Sequence, residues 1–170
     1  RGYLGMSGIG DCRRKNYLRW TRAFPEVFTA KTLKNFADGH RTEDLIIERL
    51  RMAPNMTIVD REEGKQIEVS DFDGHFLGHL DGEILGLIQA PSTWHVLEIK
   101  CVNERSFKKI QKYKETLGEK NALKEWNMTY YVQHQLYMHY RKRKRGYLVV
   151  ATPGGRDWDA VRTDYDRAAA

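Results

Sequence analysis

The chain has 170 residues, 41% of them apolar and 31% charged, with a net charge of +6. That is the balance of one globular domain with a single core, not of a disordered or fibrous segment. No apolar run approaches the ~20 residues needed to cross a bilayer, and no charged-then-apolar leader opens the chain, so neither a membrane protein nor a secreted one is expected. Cys12 and Cys101 are the only cysteines, too few for a disulfide framework or an iron–sulfur cluster. The first residue is Arg1 and not Met, which leaves room for a native start upstream.

In chain order, residues 11–22 and 42–53 read as helices, the second introduced by Gly39 and His40 with Leu45, Ile46 and Leu50 on its apolar face. Residues 66–77, 78–88 and 94–102 read as three strands of a meander, separated by Gly74 and by a QAPST turn. A helix at 104–117, a break at Leu117-Gly118 and a long helix from about 122 to 143 follow. Residues 146–151 (GYLVVA) return as a buried strand, and Trp158 to Asp164 is a final one. On the long helix Met128, Val132, Leu136 and Tyr140 recur every four residues as a core stripe. Gln133, Tyr137, Tyr130 and Lys144 fall on an adjacent face. No repeat or low-complexity linker divides the chain, so residues 1–170 are expected to form one domain.

The chemistry concentrates between residues 78 and 100. Glu98 and Lys100, two apart on a strand, project to the same side. If the strands before and after Ala90-Pro91 form a hairpin centred there, Asp81 falls opposite Lys100 and shares that face. An acid and a lysine in the mostly apolar strand Trp94–Val102 are costly unless they pair or bind an ion. Two oxygen ligands beside a cation suit Mg²⁺-assisted phosphate chemistry. Charge is uneven as well: residues 101–145 hold 12 Lys or Arg against four Glu, and the rest of the chain sums to −2. A basic segment downstream of an acidic site suits a polyanion that touches both.

The segments GHLDGEI and HVLEIK resemble the PD-(D/E)XK nuclease signature, with Leu80 in place of its proline. MSGIGDCRRKNYLRW, FADGHRTEDLIIERL and YYVQHQLYMHY resemble, in order, the entry motif, first helix and Gln-x-x-x-Tyr helix of the RecB-like branch. The resemblance covers most of residues 5–150. It implies a restriction-endonuclease-like α/β core, a central mixed β-sheet flanked by helices. It implies a Mg²⁺- or Mn²⁺-dependent nuclease with Asp81, Glu98, His40, the Ile99 carbonyl and Glu43 on the metal; Glu83, on the same face as Asp81, is either a spare carboxylate for a second ion or a salt-bridge partner of a neighbour. Lys100 would act on the attacking water, with Gln133 and Tyr137 at the site edge. DNA would lie against Lys108, Lys109, Lys112, Tyr130, Gln133 and Tyr137.

The small size and the Gln-x-x-x-Tyr resemblance favour an end-dependent DNA exonuclease, and the resemblance implies phage or bacterial recombination in the cytoplasm, on single- or double-stranded DNA, as a homo-oligomer or with a single-strand annealing partner. The alternatives are an endonuclease of the same fold, structure-specific or nonspecific, and a non-catalytic DNA-binding recombination protein. A P-loop enzyme built on GYLGMSGIG is disfavoured because the Gly-Lys-Ser/Thr ending is missing.

Overall fold

The computed structural model describes residues 2–23, 25 and 27–170. A short strand β1 (Leu4–Gly5) passes through one 3-10 turn into helix α1 (Arg13–Trp20), and α2 (Ala30–Arg51) follows. Thr29 caps α2, its side chain accepting the Thr32 amide. The second helix therefore starts well before residue 42, and Gly39 and His40 lie inside it, not at its entrance. An interior glycine costs a helix about 1 kcal/mol relative to alanine; the cap and the burial of Ile46, Ile47 and Leu50 offset this.

Strands β2 (Thr57–Val59), β3 (Arg61–Glu62), β4 (Lys65–Gln66), β5 (Glu68–Asp71), β6 (Phe76–His79), β7 (Gly82–Leu85) and β8 (His95–Cys101) come next. Helices α3 (Glu104–Leu117), α4 (Glu119–Trp126) and α5 (Met128–Tyr140) connect β8 to β9 (Arg145–Ala151), and β10 (Trp158–Asp164) closes the fold. The main sheet has the order β10-β9-β8-β7-β2. Only β8 and β9 run parallel. This is the expected α/β architecture, a central mixed sheet flanked by helices. Side-chain alternation along β8 sends Leu97 and Ile99 to the α2 side, where they pack with Ile46, Ile47 and Leu50. On the opposite face Leu148 and Val150 pack with Phe107, Ile110, Leu123 and Trp126 of α3 and α4.

The expected three-strand meander is divided between two sheets. β5 and β6 form a hairpin and pair with β1 in a separate sheet of order β1-β6-β5, while β7 and β8 belong to the main one. The chain changes sheets at Leu80-Asp81. The Leu80 amide donates to the Ile67 carbonyl and its own carbonyl accepts Gln66 Nε2, which closes the small sheet there.

The expected long helix is also two. Asn127 is extended (φ −157°), and its side chain accepts the Tyr130 amide and so caps a new helix. α5 lies between the two sheets: Leu136, Tyr137 and Met138 pack with Val96 of the main sheet and with Met6, Ile67, Val69 and Leu80. It is buried on nearly every side, so the four-residue stripe does not describe it. Met128 is half exposed, whereas Gln133 and Tyr137 are buried. Among the described residues no helix is long and apolar enough to cross a membrane.

Candidate active site

The site lies where β7 begins, at Gly82, so that the edge of β8 beyond Leu97 is not paired by it. Gly82 pairs with Leu97, Glu83 with Val96 and Ile84 with His95. Continued by one residue, that register brings Asp81 level with Glu98, not with Lys100 as a tight turn at Ala90-Pro91 requires. The turn is not tight. β7 ends at Leu85 because Gly86 has φ +96° and lies against the Asn55 carbonyl, where any Cβ would overlap it. Residues 86–94 form a wider connection, bridged between Leu87 and Ala90. A slip of two residues preserves the face, so Asp81, Glu98 and Lys100 still meet.

Asp81 is buried, and its Oδ2 accepts the Ile99 amide at 2.7 Å. Lys100 Nζ donates to Glu98 Oε2 at 2.6 Å and lies 5.5 Å from the ring centroid of Tyr130. Burial alone would lower the lysine's pKa, but the charges of Glu98 and Asp81 outweigh it and hold the group firmly as an ammonium. Glu98 is pushed well above the carboxylate range, by burial first and then by the Asp81 charge. Glu43 reaches the site from α2 and is raised likewise, by burial and then by the Asp81 charge. One turn earlier, His40 Nδ1 stands 3.8 Å from Glu43 Oε2, with its side chain largely in solvent. His40, Glu43 and Asp81 line a cleft of about 190 Å³ together with Asp44, Asp60, Arg61 and Gln66.

Gln133 and Tyr137 form the buried floor of the site, not a surface at its edge. Gln133 Nε2 donates to Tyr137 Oη at 3.2 Å, and burial followed by the Glu98 charge pushes the tyrosine hydroxyl up. Of the two readings of Glu83 the structure takes the salt bridge: Arg141 Nε donates to Oε1 at 2.9 Å and Arg143 Nη2 to Oε2 at 2.6 Å. Its pKa is lowered, because the two guanidiniums overcome the cost of burial. Lys108, Lys109 and Lys112 are exposed on α3. Lys108 pairs with Glu104 at 2.7 Å, and Lys109 lies 5.4 Å from the Tyr113 ring centroid. Asp44 and Asp60 in the cleft carry no sequence signal of their own; only the tertiary fold brings Asp60 beside Asp81.

The donor set suits a hard divalent cation. Glu98 Oε1 is buried without a hydrogen-bond partner among the described residues. Glu43 and Asp81 both line the cleft, and burial first, then the neighbouring Asp81 charge, lifts the Glu43 pKa. An unpartnered carboxylate oxygen and neighbouring carboxyls beside it are hard oxygen donors of the type such a cation takes. Among the described residues no three His, Cys, Asp or Glu side chains converge closely enough to hold a metal ion.

No protein-family model and no curated protein matches the sequence. Solved structures do share the fold. LHK-Exo, an alkaline exonuclease from Laribacter hongkongensis, superposes with TM-scores of 0.62, in its complex with dAMP, and 0.60. The identities are 17% and 16%, covering 99% and 98% of this chain and 80% and 79% of that one. SSO0001 superposes with a TM-score of 0.52 at 16% identity, covering 99% of this chain and 71% of that one. The fold is thus that of known nuclease structures.

Proposed function

We propose that this chain is a metal-dependent deoxyribonuclease of the PD-(D/E)XK type, in its RecB-like branch, that degrades linear DNA from an end. The observation that carries this reading is the convergence of Asp81, Glu98 and Lys100 at the open edge of β8. The likeness of the whole fold to an alkaline exonuclease supports it.

Asp81, Glu98 and Glu43, with His40 at the cleft mouth and the Ile99 carbonyl, would hold Mg²⁺ or Mn²⁺. Such an ion polarises a phosphate oxygen and lowers the pKa of a bound water. The residues themselves supply the rest. Asp81, fixed by the Ile99 amide, and Glu98, fixed by Lys100, keep their carboxylates oriented without substrate. The Lys100 ammonium orients the attacking water and neutralises charge developing on the phosphate. Tyr137 and Gln133 hold the floor beneath Glu98. The lysines of α3 bind the backbone, and a partner copy or an annealing protein would enforce processive work from an end.

The test is incubation of the purified protein with linear, nicked, covalently closed circular and single-stranded DNA in Mg²⁺ or Mn²⁺. Loss of the linear forms with closed circles preserved is the expected result. Efficient opening of the closed circle would make the enzyme an endonuclease, and no cleavage of any form would leave a DNA-binding protein.

A further inference from the structure

The described residues of 12–37, hereafter the arm, lie outside the core clusters. The sequence 12–37 carries seven basic residues (Arg13, Arg14, Lys15, Arg19, Arg22, Lys31, Lys34) against one acid, Glu26. That balance of +6 equals the net charge of the whole chain. Asp11 at its border pairs with Lys15 and Arg19. Of the described residues in this stretch, only Asn16, Leu18 and Thr32 are withdrawn from solvent. Tyr17 is 61% exposed and Trp20 50%, and Val27, Phe28, Leu33 and Phe36 are exposed with them. A concentration of large apolar groups on a surface marks an interaction site.

The arm is tied to the active site at both ends. Before α1, Gly10 lies so close to α5 that a Cβ would stand 2.8 Å from Thr129 Cα. The next residue, Tyr130, has its ring over Lys100. At the far end α2 runs on from Ala30 to Glu43, which faces Asp81. On α1, Arg13, Tyr17 and Trp20 follow one another at helical spacing along one side. Among the described residues no ion pair engages Arg13, Arg14, Lys31 or Lys34.

We propose that this arm is a binding surface for an unpaired nucleic-acid strand. Tyr17 and Trp20 stack on its bases, and Arg13, Arg14, Lys31 and Lys34 hold its phosphates on the way to Asp81 and Lys100. The proposal rests on the nuclease reading for the direction in which the strand is delivered, but not for the binding itself. Exposed rings need bases whose faces are free, which an unpaired strand offers and a duplex does not. A second copy of the chain is the poorer occupant, because a symmetric contact would set like charge against like charge.

Binding of fluorescein-labelled oligo(dT) and of a blunt duplex of equal length, followed by anisotropy in EDTA, tests this with the full chain. Tyr17→Ala/Trp20→Ala is expected to weaken oligo(dT) binding at least about tenfold, with less than about a twofold effect on the duplex. Arg13→Ala/Arg14→Ala should lower the salt dependence of oligo(dT) binding. All four side chains are exposed, so an unchanged melting temperature is the check on folding. Unchanged oligo(dT) affinity in both variants overturns the proposal. So does a variant that loses only self-association in sedimentation, or only binding to phosphatidylserine vesicles. A protein that cleaves nothing yet binds oligo(dT) through the arm would refute the nuclease reading alone.

Discussion

The Asp81 carboxylate caps the Ile99 amide, on the strand that carries Glu98 and Lys100. The β7 pairing begins one residue after Asp81, at Gly82, so the side chain does what a further ladder bond would have done. Structure and chemistry therefore separate at one position. Asp81→Asn keeps an oxygen for the amide and should cost less than about 1 kcal/mol in urea unfolding. Asp81→Ala leaves the buried amide unpaired and should cost about 1–3 kcal/mol. Both should abolish cleavage, and equal stability of the two variants would contradict the capping role.

The tyrosine beneath Glu98 is held by close backbone. A Cβ at Gly78 would stand 2.6 Å from the Tyr137 ring, 2.9 Å from its hydroxyl and 3.0 Å from Met6 Cβ. Gly78→Ala should therefore destabilise by about 1–3 kcal/mol. It should also lower kcat, because the ring that supports Glu98 is pushed aside. Thermal unfolding and turnover at wild-type values would remove Tyr137 from the site's support.

His134 is fully buried between Val96 and Thr163. Burial, opposed by the Val96 carbonyl and aided by the Lys100 charge, pushes its imidazole down to about 4. Between about 6.5 and 4 the unfolded chain binds a proton that the folded chain refuses. Stability therefore rises with pH across that window and is lost as pH falls through it, by at most about 3 kcal/mol. The raised carboxyls of Glu43 and Glu98 act in the opposite direction above pH 4.5. The clean measurement is thus a difference: His134→Gln should show a smaller loss of stability from pH 6.5 to pH 4.5 than the wild type. Identical pH slopes would show that His134 titrates normally.

Neutralising Lys108, Lys109 and Lys112 together should reduce the slope of log affinity for linear DNA against log salt. The reduction should be roughly 0.7–0.9 for each phosphate that the lysines no longer neutralise. Lys108 already has Glu104 as a partner, so it should contribute less than Lys112. A salt slope equal to that of the wild type would assign α3 to the solvated surface.

The meeting of Glu98 with Lys100 was legible in the sequence, because a strand's two-residue period fixes the shared face whatever its neighbours do. The register of Asp81 was not. It depends on where β7 ends, and that is set by the contact of Gly86 with Asn55, far away in sequence. The burial of Gln133 and Tyr137 depends on the small sheet closing over α5, which helical periodicity cannot express. Asn127 was a readable cap, overridden in sequence by the helix formers on either side. The basic, aromatic run at 12–37 was equally readable. Acidic stretches elsewhere outside 101–145 offset the arm, so that the remainder of the chain carries only −2.

In the proposed mechanism Lys100 works at the scissile phosphate while Asp81 and Glu98 hold the metal. The direct measurement is the initial rate of nucleotide release from end-labelled linear DNA by Lys100→Ala, with Mn²⁺ affinity measured by calorimetry on the same sample. The account predicts a rate at least about 10²-fold lower, of the order lost with one electrostatic donor to a transition state, at Mn²⁺ affinity no weaker than wild type. A Lys100→Ala protein that still degrades linear DNA at close to the wild-type rate would contradict it.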